Sequence, residues 1–335
     1  MPSIFDSTAK FNGEVFAKAV GNLEMTNKLD IVTYLKRNAR PELARMFPEQ
    51  SGGNVATILI EGNLGGNAQN YDGSTDIVAS NVINYSQSVI AIGRAKAWKE
   101  KDFIPSISGR SGLDAQAYQV AMFRDSVVKA SALSILTALF DGTNGVLKDR
   151  TVAKTSLAVT DLNDAVVLAC GDKADRFDVV VMDSYYAGQL ANEKLLQYAK
   201  YTNEQGIEMI DNKIAFWGNK LVLIDDSVGT NAKVGTHNVY AFGFDSFTYA
   251  DLEVKNPYEM ARDSFTAGGI DSLITRQRYV LAPYGVSWKG SSAIVSPTEA
   301  QLATATNYEL VEGADGNPIP TKIIPFAHLK LTISE

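Results

Sequence analysis

The chain has little of what most site chemistry requires. Among its 335 residues there is one cysteine, Cys170, which excludes an intrachain disulfide framework and fits a reducing compartment. Its two histidines, His237 and His328, lie far apart and neither has a neighbouring Cys or His, whereas a zinc centre needs three or four such ligands. There is no G-x-x-x-x-G-K-[ST] phosphate loop and no G-x-S-x-G nucleophile elbow. Basic residues are outnumbered, 31 to 38, for a formal net charge of −7, so no concentrated cationic surface is available to neutralise many phosphates. Long apolar runs are missing too: the longest apolar run, residues 130–140, falls short of the roughly 20 residues that span a bilayer. The opening "MPSIFDSTAK" lacks the charged and apolar regions of a signal peptide, and a soluble chain made inside the cell is expected. With 45% hydrophobic and 21% charged residues, it reads as a folded protein.

What is present is extended structure. "NVATILIEG" and "DIVASNVINYSQSVIAIGRAKAW" have the alternation and β-branched content of strands. Between them lies "EGNLGGNAQNYDGSTD", residues 61–76, with Asp72-Gly73 as a turn signal, so a hairpin with arms projecting roughly 20–30 Å is expected. Its glycines lack the G-x-G-x-x-G spacing and precede a strand, which excludes a dinucleotide loop. Taking Gly73 as an EF-hand glycine puts Ala68 and Ala79 where carboxylates are needed. From Leu113 to Asp141 no Gly or Pro appears, Ser111 and Asp114 resemble a capping box, and Gly142 is placed to end the helix in the left-handed conformation. One helix of about 29 residues, roughly 43 Å long, follows. Asp114, Arg124, Asp125 and Lys129 should be exposed on its first half, and its uncharged second half should be covered on most sides.

Before this core, residues 1–50 carry two apolar helical stripes, Phe11, Val15, Phe16, Ala19 and Val20, then Leu29, Val32 and Leu35, interrupted by Pro41 and Pro48. After residue 150 the pattern alternates. "DLNDAVVLACG" and "SYYAGQLANEKLLQYAK" read as helices, "FDVVVMD" as a buried strand, and "NKIAFWGNKLVLIDDS" and "NVYAFGFDSFTYADL" as strand pairs. "DSLITRQRYVLAPYGVSW" and "KIIPFAHLKLTIS" are further strands. The aspartates ending "VVVMD" and "LVLID" stand where P-loop enzymes hold magnesium, but without the phosphate loop they read as caps or turn residues. Cys170 reads as an inert core thiol. No residue set points to an enzyme, a cofactor or a metal.

Several blocks, taken in order, resemble a known family. They are "GGNVATILIEGNLGGNAQNYDGSTDI", "VIAIGRAKAWKEKDF", "VAMFRD" with "ILTALFDG", "FDVVVMDSYYAGQL", "FWGNKLVLIDDS" and "RYVLAPYGVSW", which cover about residues 50–290. The chain resembles the tailed-bacteriophage major capsid proteins with the Hong Kong 97 phage capsid fold. The resemblance implies an α+β fold with an N-terminal arm at 1–50 and an extended loop at 51–96. It places the first part of a peripheral domain at 97–154 with a spine helix at 112–141, an axial domain at 155–255, and the second part of the peripheral domain with the C-terminal strands at 256–335. It further implies self-assembly into pentamers and hexamers of a head shell, a separate scaffolding protein, a portal and a decoration protein as partners, and packaged double-stranded DNA held without sequence-specific binding. An encapsulin-like compartment for protein cargo is the alternative. Residues 46–93 hold no Lys or Arg but contain Glu49, Glu61, Asp72 and Asp76, while Arg94, Lys96, Lys99, Lys101 and Arg110 follow. Glu61, Asp72, Gly73 and Asp76 of one subunit are therefore expected to meet this basic group on another. Some members of the fold weld the shell through an extended-loop lysine; with none in 46–93, a noncovalent shell is expected.

Overall fold

A computed structural model describes residues 31–37, 39–49, 54–62, 68–74, 76, 79, 83–101, 112–202, 208–230, 232–291 and 293–333. The Phe11–Val20 stripe, Leu29, Arg110 and the cap at Ser111 lie outside these residues, as does the side chain of Asp114.

Two short helices come first. Helix α1 (Ile31–Arg37) buries Ile31, Val32 and Leu35. Helix α2 (Pro41–Glu49) buries Leu43 and Phe47. Pro41 opens α2 instead of interrupting a helix, because the first helical position has no hydrogen bond for its missing N–H to forfeit.

A five-stranded sheet follows. Strand β1 (Val55–Glu61) pairs antiparallel with the first part of β2 (Asn84–Lys101), from Val55 opposite Ile90 to Glu61 opposite Asn84. Among the described residues between these strands, 62, 68–74, 76, 79 and 83 are in no strand. The Asp72-Gly73 turn is thus not the hairpin's own connection but a local turn in a longer excursion.

Helix α3 (Gly112–Leu139) is the expected long element, ~42 Å for its 28 residues. Gly142 does not take positive φ. The chain instead turns on the Asp141 carboxylate, which accepts from the N–H groups of Thr143 (3.2 Å) and Asn144 (2.8 Å). The glycine requirement falls at Gly145, where a Cβ would stand 2.5 Å from the Asp141 backbone.

The later elements are β3 (Thr151–Lys154), α4 (Asp161–Cys170), β4 (Val179–Met182), α5 (Ser184–Asn192), β5 (Leu196–Thr202), β6 (Glu208–Trp217), β7 (Lys220–Ile224), β8 (Gly235–Phe242), β9 (Phe247–Leu252), β10 (Tyr258–Asp263), β11 (Ile270–Pro283), β12 (Val286–Trp288), α6 (Glu299–Leu302), β13 (Tyr308–Leu310) and β14 (Phe326–Ile333). "SYYAGQLANEKLLQYAK" is not one helix. Lys194 adopts φ 57°, and Lys194 and Leu195 donate back to the carbonyls of Ala191 and Leu190, a Schellman ending built without the usual glycine. The chain then reverses into β5.

The sheet with β1 runs β1-β2-β11-β10, with β9 pairing the second part of β11. The second sheet has seven strands in the order β3-β14-β8-β4-β7-β6-β5. Strands β8 and β9 are consecutive but belong to different sheets. The last strand, β14, pairs with β8 and β3, so the C-terminal strand joins the sheet of the 155–255 region rather than the long strands of 258–290.

Packing explains the sequence pattern. The "VVVM" strand is buried on both faces: Val179 and Val181 enter one core, while Val180 and Met182 enter a second core under α4 and α5. The first core surrounds the uncharged half of α3, where Ile135, Leu136 and Leu139 meet residues of β2, β8 and β11. Arg124, Asp125 and Lys129, expected exposed, are half-buried clamps. Lys36 Nζ lies 2.7 Å from Asp125, Lys129 Nζ lies 2.9 Å from Asp225, and Arg124 sits over the Tyr258 ring.

Leu136 has no exposed surface. Leu136→Ala should lower stability by about 2–5 kcal/mol, measured by urea unfolding of the unassembled chain.

Candidate assembly surfaces

Strand β2 is held to the rest of the chain by polar contacts. Gln87 Nε2 donates to the carbonyls of Pro283 and Val286, each at 2.7 Å. Ser296 Oγ bridges the N–H (2.9 Å) and carbonyl (3.0 Å) of Gly93. Arg94 donates to Glu299 Oε1 through Nε (3.1 Å) and Nη2 (2.8 Å), and to the Pro297 carbonyl (2.8 Å). Glu299 also accepts from Ser131 (2.9 Å) and Ser134 (3.0 Å) of α3. Because the one Ser131 proton goes to Glu299, the Tyr279 hydroxyl, 2.8 Å away, donates to Ser131. Burial, foremost, raises the Tyr279 pKa to about 12, so this proton stays in place. Strand β2, α3, β11 and α6 are thereby tied at one point.

Arg94 is half-buried and engaged by Glu299 of its own chain. The other expected residues are placed as follows. Glu61 is exposed at the end of β1. Asp72, Gly73 and Asp76 are exposed in the excursion; Asp72 accepts from the Ser74 N–H (2.9 Å), and Gly73 takes the left-handed φ of +76° that this turn demands. Lys96, Lys99 and Lys101 are exposed along the far part of β2, where β11 pairs on one side and no described strand on the other. Arg110 lies outside the described residues.

Glu61 and the lysines stand at opposite ends of the sheet formed with β2. Glu61 is opposite Asn84, and Lys96 to Lys101 lie 12 to 17 residues further along β2, roughly 40–55 Å away. Glu61 cannot meet these lysines within one chain.

Both histidines, unremarkable in sequence, are buried in polar networks. Asp183 and His237 have no exposed side-chain surface and lie 2.6 Å apart; Asp183 also caps α5. His328 is fixed as a neutral tautomer. The Asn238 amide donates to the Val228 carbonyl (3.0 Å), which turns its oxygen toward His328 Nε2 at 3.1 Å, and Thr151 Oγ1 then lies 3.1 Å from Nδ1. The partners are up to 177 residues away, so nothing local in the sequence marks these sites. Asp225, ending "LVLID", accepts from the Ser227 N–H (3.0 Å), and Asp183, ending "VVVMD", is the helix cap, so both have the capping and turn roles expected of them. Burial raises the Cys170 thiol pKa above its usual value. Among the described residues no three His, Cys, Asp or Glu are grouped to hold a metal, and no helix is long and apolar enough to cross a membrane.

This architecture is known elsewhere. The chain is 24% identical over 302 residues to the major capsid protein of Bacillus phage SPP1, covering 86% of this chain and 87% of that one. This likeness supports a phage major capsid protein. The capsid protein has the same fold as the subunit in the head structure of Helicobacter pylori bacteriophage KHP40 (TM-score 0.51, 12% identity, 85% of each chain) and as that in the capsid of Ralstonia phage GP4 (TM-score 0.50, 10% identity, 85% of each chain). These are α+β capsid subunits of the Hong Kong 97 type. No protein-family model matches the sequence. The role of this capsid protein is structural, as the subunit of a phage head shell, and an encapsulin-like compartment is not favoured.

Burial, followed by the charge of Lys330, lowers the His328 pKa from 6.5 to about 4. The unfolded chain therefore takes up this proton first as pH falls, and stability is lost between about pH 6.5 and 4. From pH 7 to pH 5, the capsid protein should lose about 2 kcal/mol more than its His328→Gln variant, read from urea unfolding at each pH.

Proposed function

We infer that this capsid protein closes its shell through head-to-tail contacts in which the extended loop of one subunit lies on the far end of β2 of the next. The observation that carries this is the separation of charge: Glu61 lies opposite the first residue of β2, Lys96, Lys99 and Lys101 lie toward its far end, and the exposed Asp72 and Asp76 belong to the segment between β1 and β2. A surface whose two halves are complementary but remote pairs with a rotated copy, and such heterologous contacts generate rings. Pentamers and hexamers are the rings proposed. Exposed ion pairs are worth only about 0–1 kcal/mol each, so they set register while apolar burial supplies affinity, and closure of many rings makes the sum large.

In this reading the five-stranded sheet with α3 forms the peripheral domain and the seven-stranded sheet with α4 and α5 the axial domain. Assembly takes place in the host cytoplasm with a separate scaffolding protein; a portal and a decoration protein complete the head. Packaged DNA is enclosed without sequence-specific contact. The net charge of −7 suits this, since a shell lined with tight cationic contacts would resist the movement of DNA during packaging.

Asp72→Lys with Asp76→Lys should block shell formation, scored by electron microscopy, and adding Lys96→Glu, Lys99→Glu and Lys101→Glu should restore it. Normal particles from the first variant would refute the pairing. Purified wild-type particles should run as a single monomer band on a denaturing gel, since residues 46–93 offer no lysine for a weld; a covalent ladder would contradict this.

A further inference from the structure

The peripheral end of the five-stranded sheet carries a knob and a hole. The knob is Phe265, 99% exposed at the tip of the β10–β11 hairpin. Its turn is rigid: the Asp263 carboxylate accepts from the Phe265 N–H (3.0 Å), the Thr266 N–H (3.4 Å) and the Thr266 hydroxyl (2.6 Å). A large apolar ring held out in water by a fixed turn gains nothing for its own chain. The hole is a groove of about 560 Å³ between β2, β11 and the first half of α3. Val120 and Leu273 are buried beneath it, and Trp98 and Phe123 meet edge to face beside it, with ring centroids 5.1 Å apart. Lys99, Glu100 and Gln119 complete its lining. That volume accommodates an aromatic ring with room for flanking atoms.

We propose that Phe265 of one subunit seats in the Trp98–Phe123 groove of a second copy of this chain. The inference goes beyond the extended-loop contact but rests on the shell reading, which supplies the second copy. Knob and hole lie at the same end of the sheet. The tip follows the row in which Asp263, Ile270 and Lys101 stand side by side, and the groove begins at the Leu273–Trp98 pair, three residues back, roughly 10 Å along the strands. Phe265 does not enter the groove of its own chain, yet a rotation axis passing near the sheet end carries it into that of a neighbour. Glu259 and Asp271 are held by Arg276 and Arg262 of their own chain, which leaves Asp263 as the acid of the tip; the groove carries Lys99 and Glu100, so the Lys99 ammonium is the group there that a neighbour's Asp263 would meet while the ring supplies the affinity. An aromatic anchor filling an apolar pocket is the contact that dominates protein interfaces, whereas the ion pairs of the extended loop set only register.

Two variants test this. Ala267→Cys with Gln119→Cys keeps Phe265 and places thiols on tip and groove; both positions are exposed, whereas Cys170 is buried. Wild-type particles are first verified by electron microscopy. Under mild oxidation, particles of the double variant should give disulfide-linked oligomers on a non-reducing gel, and neither single variant should. Phe265→Ala should leave the melting temperature of the unassembled chain unchanged but reduce shell yield at least ten-fold, with Phe265→Leu intermediate. Particles that form without crosslinks, or normal shell yield from Phe265→Ala, would overturn this contact while leaving the shell reading intact; a decoration protein or small apolar ligand as the true occupant would give that result. Failure of the wild-type chain to form particles would count against both.

Discussion

Helix α3 is the element on which the remaining architecture depends. Its second half is uncharged on every side, which a helix tolerates only if something covers each face. Residues of the five-stranded and the seven-stranded sheet share one core with this helix, and Phe247 of β9 also packs directly on Phe242 of β8 and Phe326 of β14. The half-buried charges of α3 then hold what the apolar surface has gathered: Asp125 takes Lys36 of α1, and Lys129 takes Asp225 beside β7. A long stiff helix in that position gives the subunit a fixed length and fixes the direction in which β2 projects. A shell subunit needs both, since its contacts must recur at the same angle in every copy.

The network around Glu299 has a related purpose. The extended loop leaves the body along β2, and a lever is only as precise as its base. Arg94, Ser131, Ser134 and Tyr279 converge there from three elements, so the direction of the loop is set by hydrogen bonds that saturate one carboxylate. Arg94 therefore acts within the subunit, while the lysines beyond it on the same strand face outward.

His328 shows where acid would act. His328 is stacked on Tyr240 and lies against Phe140, at the junction of β14 with β8 and the end of α3, so its protonation would disturb the joint between the seven-stranded sheet and the helix. The Asp183–His237 pair ties the start of α5 to β8 in the same sheet.

The sequence by itself determined the elements whose cause is local. The absence of Gly and Pro over 113–141, the alternation in 55–61 and 84–101, and the apolar "VVVM" run each specify their structure through periodicity and burial, and the ordered blocks identified the fold. It also determined the division of charge between residues 46–93 and 94–110. Where the deciding contact was distant or the local signal ambiguous, it fell short. Lys194 took a conformation usually left to glycine because the reversal into β5 required it, and Gly142 proved unnecessary because Asp141 formed the turn. The partner of Arg94 is 205 residues away, and those of the histidines are 54 to 177 away. Only the tertiary structure could decide which charges are used within the subunit and which remain on its surface, because a carboxylate 200 residues away becomes a neighbour only once the sheets have packed on α3.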